Sequence, residues 1–125
     1  MKKIVALIIA FSVCFSAVYA KPKARKPKKL RIGIAKIVQH PALDDIERGV
    51  MDVVNESGIK ADFDLQNANG DPNTAVQIAN QYRTRKVDVA VGIATPVAVA
   101  LASTLKDIPV VFGTVTDPVG AGLVD

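Results

Sequence analysis

Ile108-Pro109-Val110-Val111-Phe112-Gly113-Thr114-Val115-Thr116-Asp117-Pro118-Val119-Gly120-Ala121-Gly122-Leu123-Val124 joins a short apolar run to a loop rich in Thr, Asp and Gly. The β-branched and aromatic residues of Ile108 to Phe112 predict a strand, and their brevity argues against a helix. A strand that empties into such a loop delivers hydroxyls and a carboxylate to the carboxyl edge of a sheet. That edge is where open α/β folds bind ligands.

Working back toward the N-terminus, the same alternation of strand and helix patterns recurs, which is the signature of βαβ units on a parallel sheet. Val87 to Ile93 is apolar on both faces apart from Asp88, as a central parallel strand should be. Thr95-Pro96 reads as the cap of a helix that runs from Pro96 to about Leu105 and consists almost entirely of Val, Ala and Leu. So apolar a helix is expected to need cover on more than one side. Asp71-Pro72 reads as an N-cap followed by Pro at the first helical position. The helix it opens extends to about Arg85 with Ala75, Ile78, Ala79 and Tyr82 inward.

Lys60 to Gln66 alternates Ala61, Phe63 and Leu65 with Asp62, Asp64 and Gln66, a pattern that suits an edge strand with one buried face. Pro41 opens a helix to about Ser57, stopped by Gly58, whose apolar stripe is Leu43, Ile46, Val50, Val53 and Val54. Its acids, Asp44, Asp45, Glu47, Asp52 and Glu56, fall mostly on the rest of the surface. The first strand is Leu30 to Lys36. With right-handed crossovers, four strands and three helices give an α/β fold with a flavodoxin-like parallel sheet of order 2-1-3-4.

Residues 1–20 carry Lys2 and Lys3, an apolar run from Ile4 to about Phe15, and small residues at Val18 and Ala20. This is the pattern of a secretory signal peptide, and its apolar run is shorter than the ~20 residues of a membrane-spanning helix. Cys14 is the sole cysteine, which excludes an intrachain disulfide. It is either an apolar residue of the leader or a lipid attachment point, for which Phe11-Ser12-Val13 is a poor match.

The formal charge of +4 invites a nucleic-acid reading, but the charge is concentrated at one end. Lys21, Lys23, Arg25, Lys26, Lys28 and Lys29, interrupted by Pro22 and Pro27, form a basic linker over residues 21–29. Without these six and Lys2 and Lys3, the remaining 8 cations face 12 acids, leaving the part from Leu30 onward at −4. An acidic domain without groove-reading motifs argues against binding DNA or RNA. The linker could alternatively lie on anionic lipid headgroups.

In the 2-1-3-4 order the winding reverses between strands one and three, so the loops Ile37 to Pro41, Ala94 to Pro96 and Gly113 to Pro118 converge. The candidate ligand-binding residues are therefore Gln39, His40, Ala94, Thr95, Thr114, Thr116 and Asp117. The N–H groups of the helix at Thr95-Pro96 can receive a carboxylate, and Asp117 can accept from an ammonium. Each also has a local reading: Thr95 as a helix cap, Asp117 as an Asx turn, His40 as a structural hydrogen bond. Catalytic equipment is thin in the sequence: no nucleophile elbow, no phosphate-binding Gly loop, no metal-ligand spacing, and one histidine. No enzyme activity, cofactor or metal is expected.

Four segments, Gln39-His40-Pro41-Ala42-Leu43-Asp44, Asn67-Ala68-Asn69-Gly70-Asp71, Val89-Ala90-Val91-Gly92-Ile93-Ala94-Thr95-Pro96 and the loop Asp117 to Gly122, resemble ABC-transporter substrate-binding proteins of the tryptophan and tyrosine type. The resemblance covers about Leu30 to Asp125. It implies the first lobe of a two-lobed periplasmic-binding fold that closes on a small ligand, an aromatic amino acid in the characterised branch, with an ABC permease as membrane partner. Residues 30–125 are then the N-terminal lobe, with the second lobe missing, and the protein is expected in the periplasm or another extracytoplasmic space. The alternatives are a ligand-sensing domain of a signalling system or a non-functional truncated fragment.

Overall fold

The computed structural model describes residues 28–125. The expectations for a signal peptide at 1–20, for Cys14 and for most of the 21–29 linker fall on residues outside this span. Lys28 and Lys29, the end of that linker, are exposed, yet each pairs with an acid of the sheet's amino-terminal edge, Lys28 with Asp88 and Lys29 with Asp62.

The elements alternate as the sequence predicts: β1 (Leu30–Lys36), α1 (Pro41–Glu56), β2 (Ala61–Asn67), α2 (Pro72–Arg85), β3 (Val89–Ile93), α3 (Thr95–Thr104) and β4 (Val110–Gly113). The four strands form one parallel sheet in the order β2-β1-β3-β4. The last strand therefore starts two residues later than Ile108, and β3 two residues later than Val87. Those residues still serve the core: Val87 is buried, and Ile108 packs half-buried against the same cluster.

The two faces of the sheet are covered unequally. On one, α2 and α3 pack Ala75, Ile78, Ala79, Tyr82, Val97, Ala100 and Leu101 onto Ala35 and Ala90. Gly92 allows this approach, since a Cβ there would lie 2.9 Å from the Ala98 Cα, backbone that has no room to yield. The opposite face, Ile32, Ile34, Val91 and Ile93, is covered by α1 through Leu43, Ile46, Val50, Met51 and Val54. No residue of α1 is fully buried. Val53, expected in the apolar stripe, is 66% exposed; Met51 takes its place, because the strip that faces the sheet is rotated about the helix axis relative to the sequence pattern. Val111, registered with Val91 but beyond the reach of α1, is exposed as well.

Tyr82 is fully buried beneath β1, where Gly33 makes room for its ring, and its hydroxyl donates to the carbonyl of Asp64 at 2.8 Å. Burial pushes its phenol far above the ordinary tyrosine range. Leu65, expected on the buried face of β2, is 44% exposed, as an edge strand with partial cover permits. Among the described residues no helix is long and apolar enough to cross a membrane.

Candidate functional site

The parallel register places the last residues of the strands, Asn67, Lys36, Ile93 and Gly113, side by side in one row. Every loop under consideration leaves from that row. Backbone hydrogen bonds tie the loops to one another beyond the ladder: Gly70 N–H donates to the Ile37 carbonyl at 2.6 Å, and Ala94 N–H to the Gly113 carbonyl at 3.0 Å. With α1 on one face and α2 and α3 on the other, the winding reverses between β1 and β3, whose carboxyl ends flank the crevice.

Thr95 is not the cap of α3. It is the first helical residue, and the cap position belongs to Ala94, which has no side chain able to bond the helix. The first helical bond runs from Ala98 N–H to the Ala94 carbonyl. Pro96 has no N–H to offer, so the N–H groups of Thr95 and Val97 remain without protein partners among the described residues. Such an end carries partial positive charge, and no acid in the first turn neutralises it.

Ala94 itself sits at φ 80° and ψ 152°, a region normally left to glycine. Thr114, at the same edge after β4, has φ 54°. Two strained non-glycine residues thus occupy neighbouring loops of the row. Strain of this kind, about 1–3 kcal/mol for each residue, concentrates at ligand-binding positions. The Thr114 hydroxyl bonds locally to the Gly113 carbonyl at 2.7 Å, while Thr116 is exposed.

Asp117 folds its own loop. Its Oδ1 accepts from Gly120 N–H at 2.8 Å and its carbonyl from Ala121 N–H at 3.0 Å. The carboxylate sits so close to Gly120 that Oδ2 leaves no room there for a Cβ. The local turn reading is thereby realised, and Oδ2 remains as the acceptor not committed to the loop. His40 caps α1, its Nδ1 accepting from Ala42 N–H at 3.2 Å. An accepting Nδ1 carries no proton, so the donor of this imidazole is the outer Nε2–H. Asp71 is the side-chain cap of α2, and its bonds from the Thr74 hydroxyl and the Asn73 N–H hold its carboxyl below the usual range.

One cluster has no counterpart in the reading of the sequence. Lys36, the last residue of β1, is 6% exposed, and its Nζ lies 2.6 Å from Asp44 Oδ1 and 3.0 Å from Glu47 Oε1 on α1. Asp44 and Glu47 are thus not part of the solvated surface of α1. The Asp44 hydrogen bond raises Lys36 above the ordinary lysine value, and the same contact lowers Asp44. The signal is present in the chain: Ile32, Ile34 and Lys36 share one face of β1, and a lysine there needs acids opposite. Among the described residues no group of three His, Cys, Asp or Glu is placed to hold a metal ion. Thr95 and Pro96 also line a cleft of about 470 Å³ between α2 and α3, with Pro72, Val76 and Val99.

Residues 31–125 match the profile of the family described as ABC transporter substrate binding protein. The chain is 39% identical over 106 residues to a tyrosine-binding protein of Clostridioides difficile strain R20291, an alignment that covers 82% of this chain and 31% of the relative. Among solved structures it is similar to a conserved domain protein of Vibrio cholerae, with 48% identity and a TM-score of 0.75 over 78% of this chain and 34% of the other. An ABC domain from Streptococcus pneumonia in complex with L-Trp gives 41% identity and a TM-score of 0.70 over 75% of this chain and 32% of the other. A ligand-free, open substrate-binding protein with adhesive properties from Clostridium difficile gives 40% and 0.74, over 77% and 34%. The chain spans about a third of the length of each.

Proposed function

Starting from a chain that belongs to the ABC transporter substrate-binding protein family, we propose that it forms the first lobe of an extracytoplasmic binding protein that captures an α-amino acid and presents it to an ABC permease for import. In this reading the residues from Leu30 onward contribute one wall of the site, and a second lobe, of the kind that relatives about three times as long have room for, contributes the other. The leader serves export, and the basic segment links it to the lobe.

The observation that carries the reading is the uncapped start of α3 in the same row of loops as the Asp117 carboxylate. A positive helix end suits a carboxylate, and Oδ2 of Asp117 suits an ammonium. A zwitterion offers both charges at a fixed spacing, whereas a sugar offers neither. Gln39, His40, Thr114 and Thr116 complete the rim as neutral donors and acceptors. Relatives described as tyrosine-binding and as an L-Trp complex support an aromatic side chain on the ligand.

A thermal-shift screen of the two-lobed protein against the common L-amino acids and a set of neutral sugars tests this. Stabilisation by L-tryptophan or L-tyrosine, at least about 3 °C at millimolar ligand, is expected, and stabilisation by sugars alone would refute it.

A further inference from the structure

Asp44 uses its two oxygens for different partners. Oδ1 accepts from Lys36 Nζ, and Oδ2 accepts from the side-chain Nε2 of Gln39. An ionised carboxylate is an acceptor only, so the end of the Gln39 amide that meets it has to be the NH₂ end. The orientation of an amide is often ambiguous between oxygen and nitrogen, but a carboxylate partner removes the ambiguity. The carbonyl Oε1 of Gln39 is then the free end. Asp44 is itself held in place by Lys36, which is nearly buried and shares its charge between Asp44 and Glu47.

We propose that Asp44, held in place by Lys36, is a positioning residue for ligand recognition that fixes the Gln39 amide so that its Oε1, and not its NH₂, is presented at the carboxyl edge of the sheet. This rests on the reading of Gln39 as part of the ligand rim. It assigns that residue a polarity: Gln39 accepts a hydrogen bond from the ligand, in keeping with an ammonium as the group it meets. A glutamine without this restraint would present either end and would lose rotamer entropy on binding. The arrangement also joins β1 to the first turn of α1 at the point where His40 caps the helix. Asp44, which touches no ligand in this scheme, thereby sets the chemistry of a residue that does.

Asp44→Asn is the discriminating change. The amide of this variant retains the shape of the carboxylate and can still accept from Lys36, but it turns an NH₂ toward Gln39, which must then flip and present its own NH₂ outward. Calorimetric titration of L-tryptophan and L-tyrosine should be run on the two-lobed protein, on Gln39→Ala, on Asp44→Asn and on the double variant, with thermal melts to confirm folding. We expect each single variant to bind about tenfold more weakly and the double variant to bind no more weakly than Gln39→Ala alone, because Asp44 acts only through Gln39. The side-chain amide resonances of Gln39 should shift in Asp44→Asn. A folded Asp44→Asn with parental affinity, or a loss of the same size in the Gln39→Ala background, overturns the proposal. Parental affinity in Gln39→Ala overturns it too while leaving amino-acid binding intact, whereas failure of the parent to bind either amino acid removes the functional reading itself.

Discussion

Ala94 donates its N–H to the Gly113 carbonyl at 3.0 Å, so the residue that opens α3 in a glycine-type conformation is pinned to the neighbouring strand's last residue. The ladder between β3 and β4 holds what the local sterics resist. Replacing Ala94 by Gly should therefore relieve strain at this position. Of the roughly 1–3 kcal/mol such a conformation costs, the greater chain entropy of Gly offsets about 0.5–1 kcal/mol. The expected net gain is about 1 kcal/mol in urea unfolding, and a loss of that size would contradict the assignment of strain.

The Tyr82 hydroxyl and the Asp64 carbonyl form a second checkable pair, 2.8 Å apart beneath the sheet. Tyr82→Phe keeps the ring in its place against Gly33 and leaves the carbonyl without this donor. A destabilisation of about 1 kcal/mol is expected from denaturant titration. Gly33→Ala attacks the same contact from the other side. Its Cβ would meet Tyr82 Cε2 at 2.7 Å, and overpacking of this kind costs about 1–3 kcal/mol.

The Lys36 cluster sets a window of pH. Asp44 titrates below its ordinary value in the folded state, so its contribution is present above the ordinary carboxylate range and is lost as pH falls through its depressed folded value. Lys36 titrates above its ordinary value, so its contribution is present below the ordinary lysine range and is lost as pH rises through its raised folded value. Thermal stability should be nearly flat between about pH 5 and 9 and fall outside that range. Lys36→Met, which leaves two carboxylates facing an apolar side chain, should lower Tm by roughly 5 °C or more at about pH 7 and should narrow the dependence on the alkaline side. An unchanged Tm would show that the cluster contributes nothing to folding.

Most of the architecture is legible in the sequence because the sheet is parallel and its helices are amphipathic or wholly apolar. Ala61 and Phe63 of β2 and Ala75 to Tyr82 of α2 announce their faces by period alone. Caps at Asp71 and at Gly58 follow rules that need only neighbours in sequence. What escapes such reading depends on partners distant along the chain or on unusual backbone. Thr95 reads as a cap because Thr-Pro usually is one; the Gly113 carbonyl draws the turn back by one residue and gives the cap to Ala94. Asp44 and Glu47 read as surface acids because their cation, Lys36, comes from a strand. The rotation of α1 against the sheet, which leaves Val53 exposed, and the extent of its cover, which leaves Val111 exposed, are properties of packing that no single segment encodes.

The central claim is that the start of α3 and the Asp117 loop together read the two charges of an α-amino acid. It is tested most directly by calorimetric dissociation constants, measured on the two-lobed protein, for L-tryptophan, for tryptamine, which lacks the carboxylate, and for indole-3-propionate, which lacks the ammonium. The expected result is micromolar or tighter binding of L-tryptophan and a loss of roughly 30-fold or more for each analogue, about 2 kcal/mol for a charged partner left unmatched. Equal affinity for all three, or tight binding of a neutral sugar with none for the amino acid, would contradict it.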